Sequence, residues 1–242
     1  MDRSLRTLLR RAASGQAGSR KHLVLLIALI SISVVQPLFA HRSDLVADLA
    51  NIGFGLGYLL VVFMVFAGRR ITYLLFLPVV TSNFALYVVP AAWRLVTSVV
   101  FHLAVILFLG YAVISVLRDL FGRNVISGDD VLGAVCGYIL GGLVWGHVYA
   151  LTYMFWPDAF SVSPSIVAQL NDLHLRHTLF NFLSFTTLTS IGYSDITPVG
   201  PPMYSLVWLE VMFGQFYMAV VVAQLVGLKL AQAIDHRQPP TH

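Results

Sequence analysis

Residues 186–195 read Thr-Thr-Leu-Thr-Ser-Ile-Gly-Tyr-Ser-Asp, and this stretch decides how the rest of the chain is interpreted. The uncharged run over residues 178–191 that leads into it is shorter than the roughly 20 residues a helix needs to cross a bilayer. Another long apolar run begins near Met203. The pattern predicts a half-span, in which a helix enters the membrane and returns as extended chain. Such backbone is tolerated in a bilayer only where it lines a water-filled path or is buried in protein.

Residues 189–195, Thr-Ser-Ile-Gly-Tyr-Ser-Asp, resemble the potassium-channel signature T-T-V-G-Y-G-D, whose backbone carbonyls replace the hydration shell of the ion. Residues 182–187 resemble that family's pore helix, and residues 196–198, Ile-Thr-Pro, resemble its usual exit. The resemblance covers roughly residues 131–231 and is limited to topology over residues 1–130. It implies a candidate filter segment, residues 190–194, in which K⁺ is bound by Ser190, Ile191, Gly192, Tyr193 and Ser194.

The segment departs from the family pattern at Ser194, where the family has glycine. Carbonyls that all face one axis require backbone of alternating hand, so two positions need a positive φ, which glycine supplies without steric cost. Gly192 meets the first requirement, whereas a left-handed Ser194 costs roughly 1–2 kcal/mol per chain. Ser190, in place of threonine, still offers a hydroxyl. We therefore expect strain at the outer end of the segment.

Several residues outside the segment are expected to support it or to line the path beyond it. By resemblance, Asp195 anchors the loop, and Gly214 occupies the hinge position of the inner helix, although close packing would also explain this glycine. Glu210 is an intramembrane carboxylate and should have a partner, either the back of the filter or His147. The predicted filter support is Asp195, Thr187, Thr189 and Glu210. The predicted cavity lining is Gln215, Met218 and Val222, which share one helix face.

Composition indicates a membrane protein. A mean hydropathy of +0.81 with 11% charged residues excludes an ordinary soluble domain. The net charge of +4 does not indicate nucleic acid, because six of the fifteen Lys and Arg residues precede His22, which is typical of a cytoplasmic membrane surface. The predicted fold is an all-α membrane protein with six spans, at residues 23–40, 49–68, 71–89, 95–117, 131–155 and 203–230, and a re-entrant pore helix and filter loop between spans five and six.

The chain divides into four predicted regions. A basic cytoplasmic segment (residues 1–22) precedes a four-span peripheral unit (23–126), the pore module (127–232) and a short cytoplasmic tail (233–242). Placing both termini inside gives the inner loops most of the basic residues: Arg69, Arg70, Arg118, Arg123 and Lys229. The outside receives Arg42, Arg94 and Arg176. We expect a multi-pass protein of the cell membrane with cytoplasmic termini.

Other features exclude several classes of function. The fourth span lacks basic residues at every third position, so steep voltage gating is not expected. Cys136, the single cysteine, allows no intrachain disulfide, and His102, alone on its apolar span, is expected to be a satisfied interior histidine. No phosphate-binding loop, zinc spacing or nucleophile elbow indicates an enzyme, and no cofactor is expected.

One half-span per chain cannot enclose an axial pore, so the sequence predicts a homotetramer in the lipid bilayer. The favoured function is a potassium channel that conducts K⁺ passively through the four-fold pore. Two alternatives stay open. One is a weakly selective cation channel, distinguished by its potassium-to-sodium permeability ratio. The other is a non-conducting membrane protein that serves sensing or assembly.

Overall fold

The computed structural model describes residues 21–40, 53, 55–57, 59–63, 66, 70–122, 126–171 and 173–235. Most of these residues are helical. The predicted basic segment lies outside them apart from Lys21 and His22, as do residues 236–242 of the predicted tail. The second predicted span, residues 49–68, is described only at separate positions, and these are helical.

Six helices have defined bounds: α1 Lys21–Ala40, α2 Arg70–Val88, α3 Ala91–Phe121, α4 Gly128–Phe155, α5 Leu173–Leu188 and α6 Pro201–Asp235. Four of them, α2, α3, α4 and α6, are long and apolar enough to cross a membrane. These four contain or nearly coincide with the predicted spans three to six, because long uncharged runs favour helices whose backbone groups are satisfied internally. Pro78 lies inside α2.

The first half of the chain packs onto α4 through a shared apolar core. Leu25 and Leu29 of α1, Phe108 and Leu109 of α3, and Leu140 of α4 are almost fully buried in it. At the N-terminal end of α1, His22 Nδ1 lies 2.8 Å from the carboxylate of Asp129. The helices that precede α4 are therefore attached to it both by apolar burial and by a polar contact.

Helix α4 begins where the sequence predicts the start of the pore module. Ser127 is its N-cap: the Ser127 hydroxyl accepts a hydrogen bond from the Asp130 amide, and the Asp130 carboxylate accepts one from the Ser127 amide. This reciprocal arrangement is a capping box, which satisfies two amides that the helix itself leaves without partners. The start of α4 is thus fixed by two reciprocal hydrogen bonds.

The segment over residues 157–176 contains regular structure and buried apolar side chains. It contains a 3₁₀ helix at Pro157–Ala159, strand β1 at Phe160–Val162 and a second 3₁₀ helix at Val167–Asn171. Helix α5 already begins at Leu173. Phe160, Ile166 and Leu170 are buried against α4 and α5. These apolar side chains are spaced irregularly, which explains why periodicity does not indicate their burial.

Helix α5 lies between α4 and α6 and delivers the chain to the candidate filter segment. Two glycine contacts show how closely these helices approach. A Cβ atom at Gly142 of α4 would lie 2.6 Å from the Phe185 ring of α5, and one at Gly214 of α6 would lie 2.5 Å from the Leu188 carbonyl oxygen. Small residues at such positions allow membrane helices to pack at short distance.

Candidate functional site

At the start of the candidate filter segment, the backbone amides point toward α5 and the carbonyls of the same peptides point away from it. The amides of Ile191 and Gly192 both donate to the carbonyl of Thr186, at 2.8 and 3.0 Å. In a planar trans peptide the N–H and C=O groups point in opposite directions. The carbonyls of Ser190 and Ile191, which belong to these same two peptides, therefore point away from α5 toward the exposed side of the chain.

Positive φ angles make this arrangement possible, but not at the positions that the sequence suggests. Gly192 has φ +75°, as expected. The second left-handed residue is Ser190, with φ +61°, whereas Ser194 does not have a positive φ. The prediction of strain at Ser194 is thus wrong for this structure. The Ser194 hydroxyl instead accepts a hydrogen bond from the Ile196 amide at 3.2 Å, which stabilises the turn out of the segment.

The exit from the segment is fixed by a short antiparallel sheet. Strand β2, Ile196–Pro198, pairs with β1 so that Val162 lies opposite Ile196 and Phe160 opposite Pro198. One residue beyond this ladder, the Ser163 amide donates to the Asp195 carbonyl at 2.9 Å. The candidate filter segment is therefore held by α5 on one side and by the segment that precedes α5 on the other.

The outer residues of the segment are open to the surroundings in a single chain. Tyr193 is 65% exposed, and its ring contacts Phe182 of α5 edge to face with centroids 5.9 Å apart. The exposed Asp195 carboxylate makes no hydrogen bond to another described residue. A cleft of about 300 Å³ is lined by parts of the segment, α5 and α6, and Thr187, Ser194 and Val211 are among its lining residues.

Glu210 is fully buried and joins three helices. Its Oε2 accepts a 2.6 Å hydrogen bond from the Tyr149 hydroxyl of α4, and its Oε1 lies 2.5 Å from Ser184 Oγ of α5. Ser184 Oγ also lies 2.7 Å from the Gly142 carbonyl oxygen. Glu210 is therefore paired with Ser184, on the helix that precedes the candidate filter segment, and with Tyr149 of α4. The alternative pairing with His147 is wrong.

The C-terminal end of α5 is held by a hydrogen bond from α4 and by close packing against α6. The Leu188 carbonyl accepts a hydrogen bond from the Tyr138 hydroxyl at 3.2 Å and lies directly against Gly214. Helix α6 is continuous through Gly214. The structure thus gives this glycine a packing role, and the hinge remains a prediction.

The predicted cavity residues lie along one face of α6. Gln215, Met218 and Val222 are all exposed in the single chain. The Gln215 amide donates to the Ser190 hydroxyl at 3.0 Å, so this face reaches the inner end of the candidate filter segment. Of the predicted support residues, Thr187 is buried, and the Thr189 hydroxyl donates to the Phe185 carbonyl at 2.6 Å.

A cluster of histidines lies where α3 and α4 meet the first turns of α5. His102 of α3, His147 of α4 and His177 of α5 have ligand nitrogens within 4.8 Å of one another. The prediction that His102 is a satisfied interior histidine is confirmed, because its side chain is buried and its Nδ1 lies 3.0 Å from His147 Nδ1. The three residues are on separate helices, so no local spacing in the sequence indicates that they meet.

Comparison with known proteins gives one finding. Residues 176–228, which include most of α5, the candidate filter segment and most of α6, match a protein-family model described as ion channel. Comparison with curated proteins and with solved structures gives no match. The family match, together with the apolar helices, supports an oligomeric membrane protein with ion-channel activity.

Proposed function

We propose that this protein is a potassium-selective channel, in which four chains surround a pore lined by the carbonyls of residues 190–194. The observation that carries the proposal is the pair of hydrogen bonds from the Ile191 and Gly192 amides to Thr186. They direct two consecutive carbonyls to the open side of the chain. Carbonyl dipoles in such a row can replace water around a dehydrated K⁺ ion.

The end of α5 adds to the attraction for a cation. Its last carbonyls carry the negative end of the helix dipole and lie next to Ser190. The exposed Asp195 carboxylate places a formal negative charge just beyond the segment. Both features favour K⁺ without any cofactor or catalytic step, and ions pass down their gradient.

The exposed surfaces support a homotetramer. Ile191 is 57% exposed and Tyr193 65% exposed, and Val222 on the apolar face of α6 is 47% exposed. These side chains, the open cleft and the outward carbonyls are all features that neighbouring copies around an axis would cover or enclose. In this proposal the face of α6 with Gln215, Met218 and Val222 lines the inner cavity, and Gly214 allows the helix to bend.

The proposed topology has six spans, with α1 as the first span and α5 as a re-entrant pore helix. Basic residues in the short loops favour cytoplasmic termini and a filter that opens to the outside of the cell membrane. A weakly selective cation channel is the second candidate, since Ser194 replaces the usual glycine. A non-conducting protein is the third.

A flux assay tests the proposal. Purified protein in liposomes should release K⁺ when a proton ionophore balances the charge, and Gly192→Ala should abolish that release. Within one chain a Cβ at Gly192 meets no atom within 4 Å, so inside the chain the substitution acts through its φ of +75°. Gly227→Ala is the matched control, because Gly227 is equally unobstructed and has no positive φ. Equal K⁺ release from Gly192→Ala and the control would contradict the proposed filter.

A further inference from the structure

The three histidines lie where three helices meet. His102 and His147 are 2% and 7% exposed, and their Nδ1 atoms are 3.0 Å apart. His177 is half-buried, and its ring stacks on His102 with centroids 4.8 Å apart. Phe101 contacts all three rings edge-on, with centroid distances of 5.7, 6.0 and 6.0 Å. Imidazoles are thus concentrated in a pocket with an apolar wall.

We propose that His102, His147 and His177 form a binding site for a divalent transition metal, best suited to Zn²⁺. Neutral imidazole nitrogens are preferred ligands of this ion, which takes them at about 2.0–2.1 Å in tetrahedral geometry. Two such ligands on one ion are about 3.3 Å apart. The nitrogens of His102 and His147 are already close to that separation.

The third ligand requires only a small movement. All three ligand nitrogens lie within 4.8 Å of one another, so His177 must approach by roughly 1–2 Å. His177 is the least buried of the three, which leaves room for its ring to turn and gives an ion a route to the site. The fourth position is left for water or an anion.

Occupancy of this site would fasten three parts of the molecule together. His102 belongs to the helices that precede the pore module, His147 to α4 and His177 to the first turns of α5. A ligand that binds only the folded chain stabilises it in proportion to its occupancy. The metal would therefore crosslink the peripheral helices to α5, the helix that precedes the candidate filter segment.

The test is calorimetric titration of the chelator-treated full-length protein with ZnCl₂. We expect one ion per chain with a dissociation constant in the micromolar range or below. His177→Gln and His102→Gln should each weaken binding at least tenfold, whereas His22→Gln, at the contact with Asp129, should leave it unchanged. Zn²⁺ should also raise the thermal unfolding midpoint of the wild type but not that of His177→Gln.

Two further measurements distinguish the loss of a metal ligand from the misfolding of a variant. Size-exclusion chromatography without metal shows whether each variant assembles as the wild type does, and the wild-type titration is decisive even if a variant fails to fold. Co²⁺ in place of Zn²⁺ should give the intense visible absorption of a tetrahedral ion in the wild type and lose it in His177→Gln. The absence of saturable one-per-chain binding, or equal binding by His177→Gln, would overturn the proposal.

Discussion

Backbone strain at the residue scale is found at Ser190 and not at Ser194. Ser190 has φ +61°, and its hydroxyl accepts from Gln215. Replacing Ser190 with glycine or with alanine removes that hydrogen bond equally, but only alanine keeps the left-handed cost of roughly 1–2 kcal/mol. We expect Ser190→Gly to be more stable than Ser190→Ala by about 1 kcal/mol per chain, measured by SDS titration in micelles.

The same pair of substitutions at Ser194 provides the control. Without a positive φ there, glycine gains nothing and increases the entropy of the unfolded chain, so Ser194→Gly should be no more stable than Ser194→Ala. A glycine preference at residue 194 and none at residue 190 would show that the strain lies where the sequence pattern alone places it.

Glu210 gives a second prediction at this scale. The Ser184 hydroxyl has one proton but lies within hydrogen-bond distance of both Gly142 O and Glu210 Oε1. If the Ser184 hydroxyl donates to Gly142 O, the side chain at position 210 must donate to Ser184 Oγ and accept from the Tyr149 hydroxyl. A side chain with one donor and one acceptor then satisfies every polar group in this network. Glu210→Gln should therefore be tolerated, whereas Glu210→Met, of similar length, should cost about 1–3 kcal/mol because the buried Tyr149 hydroxyl loses its acceptor.

A double-mutant cycle with Tyr149→Phe measures this coupling. Removing the Tyr149 hydroxyl should be costly in the wild type and nearly neutral in the Glu210→Met background. Equal costs in the two backgrounds would mean that the bond between Tyr149 and Glu210 does not contribute to stability.

At the scale of the elements, the contact between α5 and α6 depends on Gly214. A Cβ there would lie 2.5 Å from the Leu188 carbonyl oxygen, so Gly214→Ala must displace the end of α5 or α6. We expect a loss of at least tenfold in K⁺ flux, because residue 190 directly follows the displaced turn. Gly227→Ala on the same helix has open space and should conduct normally. Normal flux from Gly214→Ala would show that the contact is not required.

The sequence was informative about elements and uninformative about contacts between them. Uncharged runs indicated the four membrane-length helices, and Thr-Ser-Ile-Gly-Tyr-Ser-Asp indicated the loop, because both signals are local in the chain. The α5 start at Leu173 was missed because the polar residues before Thr178 resemble a loop. The partner of Glu210 and the histidine cluster depend on helices that meet through packing, so no spacing rule predicts them.

The pore-lining role of residues 190–194 remains a prediction for the same reason. The single chain shows their backbone hydrogen bonds and exposure, whereas the proposed pore would be enclosed by four copies. The left-handed conformation of Ser190 could not be foreseen either, since serine is not a residue that usually adopts it.

At the scale of the whole molecule, the channel should respond weakly to voltage. Moving one elementary charge through 100 mV supplies about 2.3 kcal/mol, roughly a fiftyfold change in an equilibrium. In each of the four proposed chains, α3 has Arg94 near its start and no other Lys or Arg before Arg118, so no fixed positive charge lies in the middle of this helix. We expect open probability in planar bilayers to change by less than that fiftyfold between −100 and 0 mV at roughly neutral pH. A steeper response would require a moving charge that this account does not contain.

The most direct test of the central claim is the reversal potential of the purified protein in a planar bilayer, with K⁺ on one side and Na⁺ on the other. We predict a reversal close to the potassium equilibrium potential, because the carbonyls of Ser190 and Ile191 point away from α5 and Ser194 has no positive φ that would strain the row of oxygens proposed for residues 190–194. A reversal near zero would contradict it and identify a channel that does not distinguish the two ions.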